Sequence, residues 1–466
     1  MRSVLTLLTA SASAFSTLPT EHVGPQSPST TCSAAADRFL RPGCDSKVAS
    51  NTTSAGMAGG TLYVYDTTGP WKWSKIVDLG DAAIAAGCTP RHKPHMVLPS
   101  PSQKYVAVSY TGDKFVHILS ATTKKVVMCL DARYPAPGVV GGAIHTGEWH
   151  GEDHFVMVDM TGSVNGVPGG ALHKFLLNFT LGVGFHRASL AIGPTATPRG
   201  TTATKPIAMG TNPNGAFADY FFVTDAKGAG SIVNVADMTV AKDIPLDDFG
   251  ACTGGGLWTV PHPEDGEVVI AQYGTQSGAQ CLYQINLKEQ AITKIYSLPS
   301  GADDAHGIAF CRAPSTGKLY LINTNRASAT LDVLDYSTGD VIVESYDLNA
   351  HFGAKILQPD VIYYRDADST LYMTARGPEP VSAVKPQNFF PDATPGLFKL
   401  KLSECVDPAY GEDAFLLTDQ ARVPAITSDV HSLWAIGTEV WAIDQAATGS
   451  VQTYEIFSKC EAYKAE

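Results

Sequence analysis

Short apolar runs separated by polar turns recur along almost the whole chain. The clearest unit is His95 to Asp131, where HMVL, YVAVSY, FVHIL and VVMCL are strand-like and PSQK, TGDK and ATTKK are turns. Four short strands at roughly ten-residue spacing are what one propeller blade requires. Six further copies begin at Ile144, Ile207, Leu257, His306, Val361 and His431, with insertions in the second and sixth. A period of about 50 residues with almost no helical periodicity predicts an all-β fold, a seven-bladed β-propeller, with six or eight blades as the alternative. The last copy is a strand short, and TLYVY at Thr61–Tyr65 and KIV at Lys75–Val77 precede the first full one. The N-terminal strand is therefore expected to close the last blade, which removes the exposed sheet edge.

The start of the chain reads differently. Arg2, the apolar run Val4 to Phe15 and the small residues Ala12-Ser13-Ala14 predict a signal peptide over residues 1–16. Residues 17–57 form a Ser/Thr/Pro-rich leader, and the propeller occupies residues 58–466. The expected location is outside the cell or in the endomembrane lumen. The alternative is a plastid reached by a bipartite presequence, because Ala14-Phe15 is followed by an acid-poor Ser/Thr/Pro segment. Asn51-Thr52-Thr53 and Asn178-Phe179-Thr180 are glycosylation sequons.

Composition narrows the function classes. The net charge is −12 and no basic run is present, which argues against a nucleic-acid partner. Beyond the N-terminus no apolar stretch is long enough to span a membrane. The 9 cysteines suit an oxidising compartment. Cys32 with Cys44 (looping the leader), Cys88 with Cys129, Cys252 with Cys281 and Cys405 with Cys460 are the candidate pairs. Cys311, inside an apolar strand, is expected to be the unpaired one. No C-x-x-C zinc motif, C-x-x-C-H haem motif, phosphate loop or G-x-S-x-G elbow occurs.

The segments KYVAVSYTGDKFVHILSATTKKVV and GKLYLINTNRASATLDVLDYSTGDVI resemble the YVTN-type and lactonase-like propeller superfamily over nearly all of residues 58–466. The resemblance implies the fold. It does not imply one activity, since that superfamily holds lactonases, copper and haem enzymes, dehydrogenase subunits and binding proteins.

In a propeller, equivalent positions of the innermost strands meet around the axis. His95, His150, His306 and His431 stand at or just before those strands and are the expected metal ligands. Imidazoles around one axis favour Cu, Zn or Fe. Glu148, Asp304 and Asp429 each stand two residues before one of these histidines, on the same face of an extended strand. They are expected to support the ligands or bind substrate, together with His92, His145 and His154. Calcium is the alternative, with Asn212, Asn214, Asp360, Asp304 and Glu148 as oxygen donors. His117 and His173 are expected to be packing residues. The chain is thus expected to be a metal-dependent enzyme, an oxidoreductase or a lactonase-type hydrolase, on a small molecule at a channel mouth. The competing expectation is a non-catalytic propeller that holds a protein or glycan on its loop-rich face.

Overall fold

The computed structural model describes residues 60–445 apart from 69–71, 92, 193–204, 227, 251, 253, 275–278, 353, 355, 378–391 and 409–428. Seven four-stranded antiparallel sheets surround one axis. Their innermost strands are Pro94–Pro99, Ile144–His150, Pro206–Gly210, Gly256–Pro261, Ala305–Arg312, Pro359–Arg365 and Val430–Ile436, which define blades one to seven. Each inner strand packs against the next, and that of blade seven packs against blade one, so the ring is closed. The chain is a seven-bladed β-propeller. Among the described residues the only α-helices are the short Leu79–Ala85 and Leu348–Phe352. A small three-stranded sheet, Val139–Val140, Ser163–Val164 and Val167–Pro168, forms part of the insertion in blade two.

Both faces of each blade are covered by neighbours, which is why the middle strands are apolar at consecutive positions. Period-two alternation then sends successive side chains to opposite interfaces. Val106 and Val108 enter the core between blades seven and one, whereas Ala107 enters that between one and two. Val268 and Ile270 pack toward blade five, while Val269 and Ala271 pack toward blade three. Seven apolar clusters result, one for each pair of neighbouring blades.

Closure uses more of the N-terminal region than one strand. Val430–Ile436 and Glu439–Asp444 supply the inner half of blade seven, and Thr61–Asp66 and Lys72–Asp78 supply the outer half. The run Thr61 to Asp66 pairs residue by residue with Asp444 to Glu439.

Cys88–Cys129 and Cys252–Cys281 are joined as the spacing suggests. Cys311 is not free: it is bonded to Cys405 across blades five and six, which also removes Cys405 from a pairing with Cys460. Cys32, Cys44, Cys460, Asn51 and the signal and leader segments lie outside the described residues. His117 and His173 are fully buried packing residues, held by Tyr110 and by Asp159 with Ser189.

Candidate functional site

The second residue of every inner strand is skipped by the pairing register with the next strand. A bulge at this point frees the residue from the ladder and re-aims its side chain. The residues so placed are His95, His145, Ile207, Leu257, His306, Asp360 and His431. Blades five, six, seven, one and two therefore contribute a polar arc, His306–Asp360–His431–His95–His145, and blades three and four complete the circle with aliphatic side chains.

Contacts run along the arc. The rings of His95 and His431 lie 3.8 Å apart between centroids, and those of His95 and His145 lie 4.3 Å apart. His306 Nε2 is 3.0 Å from Asp360 Oδ1, and His431 Nε2 is 3.7 Å from Asp360 Oδ2. One ligand atom from each of His306, Asp360 and His431 falls within a common 4.8 Å.

A second layer stands behind the arc at another repeated position. The residue after each second strand donates its backbone N–H to the carbonyl of the residue before the inner strand. In blades five, six and seven these residues are Arg326, Arg376 and Gln445, opposite Asp304, Gln358 and Asp429. Arg326 Nε donates to Asp304 Oδ2 at 2.7 Å. Arg376 grips Asp429 with two bonds of 2.8 and 2.7 Å and also lies 3.3 Å from Asp360. Asp304 adopts φ 57°, a left-handed conformation that aspartate tolerates better than most residues.

Hydrogen bonds fix the tautomers of two histidines. Arg376 Nη2 donates to Gln445 Oε1 at 3.2 Å, and Gln445 Nε2 donates to His95 Nδ1 at 2.8 Å. The proton of His95 must then sit on Nε2, which donates to His145 Nε2 at 2.9 Å. The proton of His145 sits on Nδ1 and goes to the Ile207 carbonyl at 2.9 Å. Burial, with neighbouring imidazoles and the Arg376 guanidinium, holds His95 and His431 well below the usual histidine range. Burial brings His145 down to about 4. His306 differs. Burial and Arg326 push its pKa down, but Asp360 and Asp304 outweigh them and the net shift is upward. Asp360 stays below the carboxylate range despite burial, because His306, Arg376 and Arg326 surround it.

The sequence expectation for blade two needs correction. His150 ends its strand rather than beginning it, and it binds Asp219 at 2.6 Å on the opposite rim. His154 stays there too, against Asp153. His145 takes the axial place. Glu148 is likewise far along the strand from the arc. Asn212 donates to the carbonyls of His262 and Asp265, so the five oxygen donors of the calcium alternative do not converge. His92 lies outside the described residues. Asp304 and Asp429 stand beside the arc, bound to Arg326 and Arg376. The arginines were missed, although KLYLINTNR and TLYMTAR place them at one repeat position.

The opposite mouth, where the inner strands end, holds a cavity of about 190 Å³ lined by Leu98, Glu148, Trp149, Met209, Trp258 and Trp434 among others. Glu148 Oε1 accepts from the Trp149 backbone N–H at 2.9 Å. Burial raises its carboxyl to about 7 from an ordinary 4.5. A carboxyl whose pKa is higher folded than unfolded stabilises the fold less as pH rises from the unfolded value through the folded one. The Glu148→Gln variant should therefore gain on the parent between pH 5 and pH 8, by up to about 3 kcal/mol. Denaturant unfolding at the two pH values measures this, and an identical pH dependence in both proteins would contradict it.

No family model matches the chain, and no curated protein matches it. Among solved structures it is similar to the Myceliophteria thermophila Cps50 (Swd1) β-propeller domain, with 13% identity and a TM-score of 0.47 over 69% of this chain and 88% of that one. It is also similar to Kuenenia stuttgartiensis hydrazine synthase, with 10% identity and a TM-score of 0.45 over 66% of this chain and 76% of that one. Both are similarities of fold alone.

Proposed function

We propose that this is a secreted or lumenal propeller of the YVTN-type and lactonase-like kind. In this reading it binds one transition-metal ion at the axial arc and uses it on a small molecule. His306, Asp360 and His431 are the proposed ligands. The observation that carries the reading is a concentration of buried polar atoms without hydrogen bonds at one spot. His306 Nδ1, His431 Nδ1 and Asp304 Oδ1 are among them, and Asp360, ion-paired with His306 and Arg376, adds two oxygens whose contacts fall outside hydrogen-bond geometry. Such orphaned groups are rare, and a bound ion is one physical reason for them to persist. Among the described residues, Asp304, Asp360 and Asp429 pair with Arg326, Arg376 and His306. A metal bound at His306 would displace the proton that Asp360 and Asp304 favour there, so the ion would take over the role of that charge. Imidazole and carboxylate donors suit Zn²⁺, Cu or Fe.

The chain's own groups have separable roles. Arg376 and Arg326 hold Asp429, Asp304 and Asp360 in place. Gln445 fixes the His95 tautomer, and His95 and His145 form a hydrogen-bonded path from the arc to the Ile207 carbonyl. A bound metal would supply Lewis acidity or redox chemistry. The three disulfides are compatible with secretion, as is the lack of any described helix long and apolar enough to cross a membrane.

Metal analysis of protein made without an affinity tag tests the reading. About one equivalent should be bound, should leave on chelation, and should return on reconstitution. His431→Ala and Asp360→Ala should lower occupancy by about tenfold or more, while His150→Ala should not. Protein that takes up no Zn²⁺, Cu or Fe after reconstitution would leave the non-catalytic binding propeller in its place.

A further inference from the structure

The cavity at the strand-exit mouth is built differently from the arc. Its lining comes from blades one, two, three, four and seven, and Glu148 is its only ionisable side chain. Among the described residues no cationic side chain pairs with Glu148, whose environment consists of burial and the single bond from Trp149 N–H. The rest of the wall is largely apolar. Trp149 is buried, with its indole N–H committed to the Leu98 carbonyl at 2.9 Å, and Trp258 and Trp434 are half-buried. A carboxylate in an apolar pocket without a counter-charge is costly, and a cationic occupant removes the cost. A metal ion is a poor occupant, because one carboxylate and a few hydroxyls do not supply the six or more oxygens of a calcium site. An anion would meet only the carboxylate. Indole faces with one carboxylate suit a cation whose charge is spread over alkyl groups.

We propose that this cavity binds a small organic ammonium ion, its charge facing the Glu148 carboxylate and its alkyl groups packed on Trp258 and Trp434. The site does not depend on the metal proposed at the other mouth. A ligand of a few heavy atoms fits the volume. Ser100, Thr146, Thr211 and Thr259 also line the cavity.

Tryptophan fluorescence of the intact protein, titrated with tetramethylammonium or choline chloride against matched sodium chloride, tests the site. The expected result is a saturable change absent from the sodium control. Glu148→Gln, which keeps side-chain shape, should weaken binding by about tenfold or more, and Trp258→Leu by a similar factor. Each variant is first checked for native far-ultraviolet dichroism. His431→Ala should bind as the parent does, which separates this site from the arc. Dimethylbutanol, the uncharged carbon isostere of choline, should bind at least about tenfold more weakly. The proposal is overturned if the isostere binds as well as choline, if Glu148→Gln binds unchanged, or if neutral sugars saturate the signal and the ammonium ions do not.

Discussion

Replacing Arg376 with alanine is expected to destabilise the propeller by about 3–5 kcal/mol, the usual cost of removing one partner from a buried ion pair. Arg376 is 1% exposed and stands between Asp429 and Asp360, both fully buried. Its removal takes the two-bond grip from Asp429 and one of three cationic neighbours from Asp360, and it takes from Gln445 the donor that orients its amide toward His95. Arg376→Lys restores the charge but not the two-bond grip on Asp429, and should fall between parent and alanine variant. Equilibrium denaturation gives the numbers. A loss below about 1 kcal/mol for Arg376→Ala would mean that the second layer does not hold the arc.

The second large effect concerns Cys311 and Cys405. Their bond spans a sequence separation of 94, against 41 for Cys88–Cys129 and 29 for Cys252–Cys281. It therefore constrains the unfolded chain most, and the double alanine variant should lose about 2–5 kcal/mol. Both sulfurs sit in the apolar cluster between blades five and six, so the space left should add to the loss. A variant as stable as the parent in denaturant would place the constraint elsewhere.

The architecture was legible because a blade buried on both faces writes its middle strands as continuous apolar runs, as in YVAVSY and YFFVTD. Each run could be located without knowing its neighbours. Axial placement was less legible. Asp304-x-His306 and Asp429-x-His431 are true pairs at the strand entry, and Glu148-x-His150 copies their spacing by coincidence at the strand exit. What separates His145 from His150 is where the bulge falls, and the pairing register of a polar strand such as IHTGEWH leaves little trace in its sequence. Asp360 sits on the arc through the same repeat position, and the sequence offered it as an oxygen donor, though grouped with Asn212, Asn214 and Glu148 rather than with the histidines. Arg326 and Arg376 act from the ends of second strands, so a search confined to inner strands passes them by. Cys311 looked isolated because its partner lies in the next blade, beyond one repeat length.

The arc crosses the seam of the ring. His306, Asp360 and His431 come from the last three blades, His95 and His145 from the first two, and blade seven is built from strands at both extremes of the described chain. During synthesis, residues 95 and 145 emerge long before residue 431, and nothing in the first six blades can hold them against it. The complete arc is consequently a product of ring closure. A chain halted before blade seven can carry well-packed early blades and still have only the two separated pieces of the arc.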